Sequence, residues 1–406
     1  MKPYEKRSRS VCLLFKRLSA VLLCGLCVLS CIACQSPSRP PLEAHSTQVI
    51  RAGGPFSILE HGPYVFIGGK SIRRYHRGTN LLTPACLDPE CDGSCPLHGG
   101  ITVVDQLVDG RLYFYSYQHF THGVRYGYQD IVTGEVKVLV TLSEKEDTMR
   151  WAAFVCDGYL YYTRRLLREG GDAENPEDYV DHICRMPADG GDEEAFIRTN
   201  EPLLMVAEGK IVTMQDGDVH TYDIGTKEKK TLFNIEAIGY KNFAGNFSFV
   251  NGKLYTLCRG DTYATSEYKQ SSHLHQFLIS VDIHTGEVKR VIEDPVIAYA
   301  LTDDAIYYAP FELRHLYIPE DYERHPEQVA IFLASATLHA CDLDGGNPRA
   351  VYTNEKLDYI EGFTVIDGTL YGWLYEFDDV NHVFGESYFG SIDLASGEIT
   401  RAEVEE

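Results

Sequence analysis

The segment of the sequence with the densest chemistry runs from Cys86 to His98. It reads Cys-Leu-Asp-Pro-Glu-Cys-Asp-Gly-Ser-Cys-Pro-Leu-His, so three thiols (Cys86, Cys91, Cys95) and one imidazole (His98) fall within thirteen residues. Three cysteines and one histidine are a common ligand set for tetrahedral zinc. A disulfide between two of the thiols with the third left over, or three free thiols, would use the same residues differently. The sequence leaves these interpretations open.

Enzyme motifs are missing from the sequence. It contains no Gly-x-Ser-x-Gly elbow, no His-Glu-x-x-His and no Gly-rich phosphate loop. A glycoside hydrolase needs only two carboxyl groups about 5 to 10 Å apart. Acids that would supply such a pair across a central depression are Glu312, Asp321, Glu323, Asp378 and Asp379. We therefore expect a protein that is not an enzyme, and a carbohydrate-active enzyme is the alternative.

The elements that position these residues follow a repeat. A turn residue and then an apolar or aromatic run recur seven times, at positions 62, 110, 158, 209, 252, 304 and 368, which lie 43 to 64 residues apart. This period is typical of β-propellers. A second tight turn, such as Thr133-Gly134-Glu135, comes late in most repeats. The sequence predicts an all-β fold: a seven-bladed β-propeller of four-stranded antiparallel blades.

Strand positions follow from the same turns. In the third repeat they predict strands at 151–156, 159–166, 178–186 and 194–198. We expect the segment from Thr47 to Ile50 to close the ring at the edge of the seventh blade, beside residues 398–405.

The links between strands differ in length in a regular way. In an antiparallel blade, the first-to-second and third-to-fourth links share one face, which we call the turn face. The second-to-third links and the blade connections share the opposite face, the loop face, with long loops around residues 119–126, 168–178, 263–273, 314–325 and 376–384. Insertions in repeat proteins usually collect on the binding face.

The long loops are rich in Tyr, His and Arg, which recur in binding hot spots. The same residue types also cover sheet edges without binding anything, so both interpretations stay open. The residues that we expect on a binding face are His119, His122, Arg125, Tyr263, Tyr268, Arg314, His315, Tyr317, Tyr322, Arg324 and His382.

The N-terminal residues predict a lipoprotein signal peptide. Basic residues precede an almost wholly apolar run at 18–33, which is shorter than the roughly 20 residues that a membrane span needs. Cys34 is the expected lipidated residue, and Cys31 is the alternative. The domain organisation is then a signal peptide at 1–33, a lipidated Pro-rich tether at 34–46 and a single propeller at 47–406. The expected location is the extracytoplasmic side of the cell membrane.

The net charge of −22 bears on the partners. An acidic surface repels nucleic acid and anionic lipid head groups, so neither is an expected ligand. The expected contacts are with the membrane through the N-terminal lipid and with a protein or glycan of unknown identity. No cofactor is expected apart from the zinc considered above.

Strand residues add a family resemblance. Leu160-Tyr161-Tyr162-Thr163 and Ile306-Tyr307-Tyr308 resemble degenerate forms of the YWTD-type propeller strand. With its leader, its Pro-rich tether and its Asp-Gly-x-Leu-Tyr repeats, the chain resembles the β-propeller lipoproteins of Gram-positive gut anaerobes. Trp and the terminal Asp are absent from the matching positions, so receptor function does not carry over. The resemblance implies an extracytoplasmic propeller whose ligand is undetermined.

Overall fold

The computed structural model describes residues 50–52, 58–69, 71–87, 91, 95–98, 101–118, 123–148, 152–260, 276–310, 312–317, 330–334, 337–353, 357–378 and 383–405. The chain divides into two compact units, residues 1–43 and 44–406, and every described residue belongs to the second. The expected signal peptide, Cys31 and Cys34 lie outside the described residues. No helix in the described ranges has the length and apolar character to cross a membrane.

The described chain begins with one strand that precedes the blades, β1 (Ile50–Ala52). Four strands then form each blade and pair in sequence order. Blade 1 contains β2 (Ile58–His61), β3 (Tyr64–Ile67), β4 (Arg73–His76) and β5 (Leu81–Pro84). Blade 2 contains β6 (Ile101–Val108), β7 (Arg111–Gln118), β8 (Gly123–Asp130) and β9 (Val136–Leu142). Blade 3 contains β10 (Ala153–Cys156), β11 (Tyr159–Leu167), β12 (Tyr179–Pro187) and β13 (Glu194–Arg198), with a 3-10 turn at Pro176–Asp178.

The remaining blades repeat this plan. Blade 4 contains β14 (Leu203–Ala207), β15 (Lys210–Gln215), β16 (Asp218–Asp223) and β17 (Lys229–Asn234). Blade 5 contains β18 (Tyr240–Val250), β19 (Lys253–Gly260), β20 (Gln276–Asp282) and β21 (Val288–Arg290). Blade 6 contains β22 (Val296–Leu301), β23 (Ala305–Pro310), β26 (Thr337–Asp342) and β27 (Arg349–Thr353), and an extra hairpin, β24 (Glu312–Tyr317) and β25 (Ala330–Ala334), is inserted after β23. Blade 7 contains β28 (Leu357–Ile366), β29 (Thr369–Asp378), β30 (Val383–Asp393) and β31 (Ile399–Arg401), and the chain continues into β32 (Glu403–Val404).

The seven blades form a closed ring, which confirms the predicted fold. The first strand of each blade is the innermost, and blade 7 contacts blade 1 through β28 and β2. Buried aromatic side chains fill the boundaries between blades. The ring of Tyr126 in blade 2 lies 5.3 Å from that of Tyr162 in blade 3. At the closing boundary, Tyr75 of blade 1 packs against Phe389 of blade 7 at 5.3 Å. Burial of each such side chain stabilises the ring by about 1.5–3 kcal/mol.

The chain ends lie elsewhere than the sequence predicted. The C-terminal strand β32 pairs in parallel with β5, the outer strand of blade 1. The N-terminal strand β1 does not join blade 7: it pairs antiparallel with β18, with Ile50 opposite Phe249. It also contacts β6 of blade 2, so it lies in the centre of the ring. The prediction that Thr47 to Ile50 closes the ring at the edge of blade 7 is therefore wrong for Ile50. The strand β1 pairs with the inner edge of blade 5, and it is β32 that pairs with the outer edge of blade 1.

The first-to-second strand turns have the chemistry that their sequence predicted. In five of them both central residues have positive φ, the requirement of a type I′ hairpin, which Asn or Asp followed by Gly meets with least strain. These pairs are Asp109-Gly110, Asp157-Gly158, Glu208-Gly209, Asn251-Gly252 and Asp367-Gly368.

The third-to-fourth strand turns of four blades share a second motif, which we call the Asp turn: residues 130–135, 223–228, 282–287 and 393–398. The first residue is an aspartate that accepts backbone N–H groups of the turn, as Asp282 does from His284 at 2.9 Å and Thr285 at 2.8 Å. These donors lower the pKa of Asp282. The fifth residue has positive φ, as in Gly286 at 83°. The Asp turns therefore place part of the protein's negative charge on the turn face, as carboxylates that accept backbone hydrogen bonds.

Candidate metal centre and loop face

The three cysteines and the histidine singled out in the sequence come together in the structure. One ligand atom from each of Cys86, Cys91, Cys95 and His98 lies within 4.8 Å of the other three. All four residues are half-buried. The cluster belongs to the connection at residues 85–100, which joins β5 of blade 1 to β6 of blade 2. The cluster therefore lies in the link between blades 1 and 2.

Both blades hold this connection in place. On the blade 1 side, Ile72 N–H donates to Leu97 O at 3.2 Å, and Leu97 is fully buried. On the blade 2 side, the Gln129 side chain donates to Ala85 O at 2.8 Å. These contacts fix the two ends of the cysteine segment relative to the sheets on either side.

The local electrostatics suit a group that becomes charged only when a cation is present. Burial raises the pKa of the Cys95 thiol to about 12. The Cys91 and Cys86 side chains beside it raise the pKa as well, and a hydrogen bond from the Leu97 backbone opposes them. Without a cation, Cys95 is therefore a protonated thiol at neutral pH. A bound metal ion deprotonates such a thiol outright.

The loop face is built by topology. Because the strands of each blade alternate in direction, the second-to-third links and the blade connections all begin and end on this side. Blade 4 is almost bare here, since only Asp216-Gly217 joins β15 to β16. Blade 6 carries the largest insertion, which contains β24 and β25. The long links of the chain thus collect on one side, and the links on the other side are all short.

One long loop of this face, at 168–178 in blade 3, is described throughout. It is exposed and acidic, and its own polar groups order it. Asp178 accepts the Asp172 N–H at 3.0 Å, and Asn175 accepts the Glu177 N–H at 3.2 Å. Lys145, from the preceding blade connection, pairs with Glu174 at 2.8 Å. The loop is therefore a fixed acidic projection.

The predicted binding residues are described unevenly. Arg125 is half-buried in β8, near the end of that strand that meets the loop face. Arg314, His315 and Tyr317 lie in β24, where only the backbone is described, and Tyr317 pairs with Ala330 of β25. The other expected binding residues lie outside the described residues: His119, His122, Tyr263, Tyr268, Tyr322, Arg324 and His382.

For the acids of the alternative glycosidase hypothesis, the structure describes at most the backbone. Glu312 lies in β24 and Asp378 ends β29, and for both only the backbone is described. Asp321, Glu323 and Asp379 lie outside the described residues.

Sequence reasoning missed a buried carboxylate in blade 4. The side chain of Glu201 is only 2% exposed and pairs with Lys229. It accepts the Thr213 hydroxyl at 2.5 Å and lies 3.3 Å from His220 Nδ1. Glu201 precedes β14 on a short link, and no motif marks it. Its saturated hydrogen bonding makes it a structural group of the blade.

Comparison with known proteins gives the fold and no family. No protein-family model matches the sequence, and no curated protein matches it. Among solved structures, the chain is similar to a puromycin-hydrolyzing peptidase of Mycobacterium tuberculosis, with a TM-score of 0.51 and 11% identity over 90% of this chain and 56% of that chain. It is also similar to a puromycin hydrolase, with a TM-score of 0.50 and 10% identity over 91% of this chain and 55% of that chain.

The chain thus spans a little over half the length of these two proteins. At such low identity the likeness concerns the fold alone. Fold, strand order and comparison agree on the class: the chain is a seven-bladed β-propeller protein.

Proposed function

We propose that this protein is a membrane-anchored, extracytoplasmic β-propeller that binds a protein or glycan partner through its loop face. The observation that carries the proposal is the asymmetry of the strand links. Long connections, including the inserted hairpin of β24 and β25, are confined to one side of the ring. In repeat folds, the side that gathers insertions is usually the binding side.

The direction of β1 supports the same arrangement. The strand β18 runs from the loop face to the turn face, as the first strand of its blade, and β1 is antiparallel to it. Therefore β1 runs from the turn face to the loop face, and its first residue, Ile50, lies at the turn-face end. The described chain therefore starts on the side opposite the proposed binding face.

The same strand weighs against the carbohydrate-active alternative. An active site in the central depression needs open space among the innermost strands, but β1 lies there, paired with β18 and in contact with β6. The two similar solved structures lend no activity either, because the likeness concerns the fold alone and the sequence lacks a Gly-x-Ser-x-Gly elbow. We therefore propose a non-catalytic role.

The test is a binding array of surface proteins and glycans probed with the full-length chain in detergent. The combined variant Tyr317→Ala, Tyr322→Ala and Arg324→Ala removes three large side chains from the loop insertion of blade 6. We expect it to lose about 30-fold or more in affinity for the partner found, the effect of deleting a hot spot. Its thermal midpoint should stay near that of the wild type.

The matched control removes exposed side chains from the turn face. Val132 is 54% exposed and Tyr159 is 39% exposed, and both lie beside tight turns. The variant Val132→Ala and Tyr159→Ala should bind as the wild type does. Equal losses in both variants, or no binding to any member of the array, would contradict the proposed function.

A further inference from the structure

We propose that Cys86, Cys91, Cys95 and His98 bind one Zn²⁺ ion, which fixes the connection between blades 1 and 2. This inference is independent of the proposed binding function. It rests on the geometry of four side chains, on the contacts around them and on their chemistry.

The distances fit a tetrahedral ion. With Zn–S bonds of about 2.3 Å and Zn–N bonds of about 2.0–2.1 Å, the ligand atoms of a tetrahedral site lie roughly 3.4–3.8 Å from one another. In the structure, all four ligand atoms already lie within 4.8 Å of one another. Closing the cluster around an ion therefore needs movements of about 1 Å or less in side chains of one short segment.

A disulfide explains less of this arrangement. It joins two sulfur atoms at about 2.05 Å and places no requirement on a third thiol or on an imidazole. Here the third sulfur and a histidine nitrogen also lie within 4.8 Å of the other two sulfur atoms. His98 Nε2 is shielded from solvent and makes no hydrogen bond to any residue that the structure describes. A buried imidazole nitrogen in that condition is suited to metal coordination.

The surroundings also resemble those of a structural metal site. The Leu97 backbone donates a hydrogen bond to the Cys95 side chain, which orients its sulfur. The backbone N–H of His98 donates to the backbone carbonyl oxygen of Cys95 at 3.0 Å, so Cys95 and His98 belong to one tight turn. Such outer contacts orient the ligands before the ion binds.

The donor set indicates which ion and which role. Thiolates and imidazole favour Zn²⁺ over Mg²⁺ or Ca²⁺, which prefer oxygen ligands. Four protein ligands fill a tetrahedral zinc site and leave no position for water or substrate, so the ion would be structural. Because Ile72 of blade 1 and Gln129 of blade 2 hold the segment at its two ends, the ion would fasten the boundary between these blades.

The first experiment measures metal in the full-length chain, purified without chelator. Elemental analysis should find about one zinc per chain, and Cys91→Ser and His98→Ala should each reduce this at least about tenfold. The matched control is Cys156→Ser, which removes a half-buried cysteine outside the cluster and should keep the zinc. Zinc near zero in the wild type, or equal zinc in all variants, would overturn the proposal.

A second measurement does not depend on the variants folding. After removal of zinc with a chelator, Co²⁺ alone is added to the wild-type chain. Thiolate-to-cobalt absorption bands and protection of residues 85–100 from protease should appear together on binding. Absence of the bands overturns the metal site, and bands without protection overturn its role between the blades. Alkylation of the denatured chain without reductant gives an independent check, since a disulfide within residues 86–95 would also refute the site.

Discussion

Gly286, in the Asp turn of blade 5, offers a sharp test of how neighbouring blades fit together. A Cβ atom at this position would lie 2.9 Å from the Leu232 carbonyl oxygen, in the outer strand of blade 4. Gly158 has a similar backbone conformation, with φ of 77° against 83°, but a Cβ there would have no neighbour within 4 Å. Both Gly286→Ala and Gly158→Ala therefore put a side chain on a left-handed backbone, but only Gly286→Ala also creates a steric contact with the neighbouring blade.

The shared cost is the left-handed backbone, which disfavours a residue with a side chain by about 1–2 kcal/mol. The Asp turn of blade 4 has Lys227 at the corresponding position, with φ of 61°, so this conformation alone is tolerated. The cost specific to Gly286 is the contact with Leu232. Because a backbone carbonyl cannot rotate away as a flexible side chain can, the outer strand of blade 4 must shift, at about 1–3 kcal/mol.

Urea unfolding of the full-length chain measures both changes. We expect Gly158→Ala to lower the free energy of unfolding by about 1 kcal/mol and Gly286→Ala to lower it by about 3 kcal/mol. Equal losses, within about 0.5 kcal/mol, would show that the Asp turn does not press on the preceding blade and would refute the packing described here.

Two further predictions concern blade 4 and the C-terminus. Burial raises the pKa of Glu201, but hydrogen bonds from Lys229 and Thr213 and the charge of His220 outweigh it, so the pKa lies below the ordinary 4.5. The stabilisation that ionised Glu201 gives the folded state should be complete above pH 4.5 and should fall away as pH drops through the lower folded-state pKa. The substitution Glu201→Gln should lower the free energy of unfolding by about 1–3 kcal/mol at neutral pH and by less in acid. Thermal midpoints of the two proteins that differ equally at all pH values would contradict this. A chain ending at Ala402 loses the bonds of Glu403 N–H to Asn80 O at 2.9 Å and Glu405 N–H to Leu82 O at 3.0 Å. The truncated chain should lose about 1–3 kcal/mol of stability in thermal melts. The double variant Glu403→Ala and Glu405→Ala keeps the backbone of β32 and should not lose this stability. An unchanged melt on truncation would exclude β32 from ring closure.

Much of the fold was predictable because its turns have specific chemistry. For blade 3, the sequence predicted strands at 151–156, 159–166, 178–186 and 194–198, and the structure has them at 153–156, 159–167, 179–187 and 194–198. The pair Asp157-Gly158 fixes the first hairpin, because positive φ at two successive residues is costly for most other pairs. The sevenfold repetition of a turn residue followed by an apolar or aromatic run then gives the number of blades.

The position of β1 was not predictable in this way. The strand has only three residues, Ile50-Arg51-Ala52, which is too short for a periodic pattern, and its partner β18 is distant in sequence. Edge pairing of this kind depends on which backbone edges the completed ring leaves open. The sequence before folding contains no local sign of them.

The candidate sites differ in the same way: a site within one short segment was predictable, and a site assembled from separate strands was not. Local spacing suggested that Cys86, Cys91, Cys95 and His98 belong together, because all four lie in one short segment. The Glu201 cluster joins residues from separate strands of blade 4, so its members become neighbours only when the sheet forms. For the loop face, residue types predicted a binding surface. They could not predict where its side chains lie, since long links lack the pairing rules of strands.

The central strand also determines how the protein resists force. A pull on Ile50 along the axis of β1 loads the hydrogen bonds between β1 and β18 in shear, all at once. The seam where β32 meets β5 lies on the outer edge of another blade and bears little of this load. Tension from the N-terminal side would therefore extract a single strand before it opened the ring.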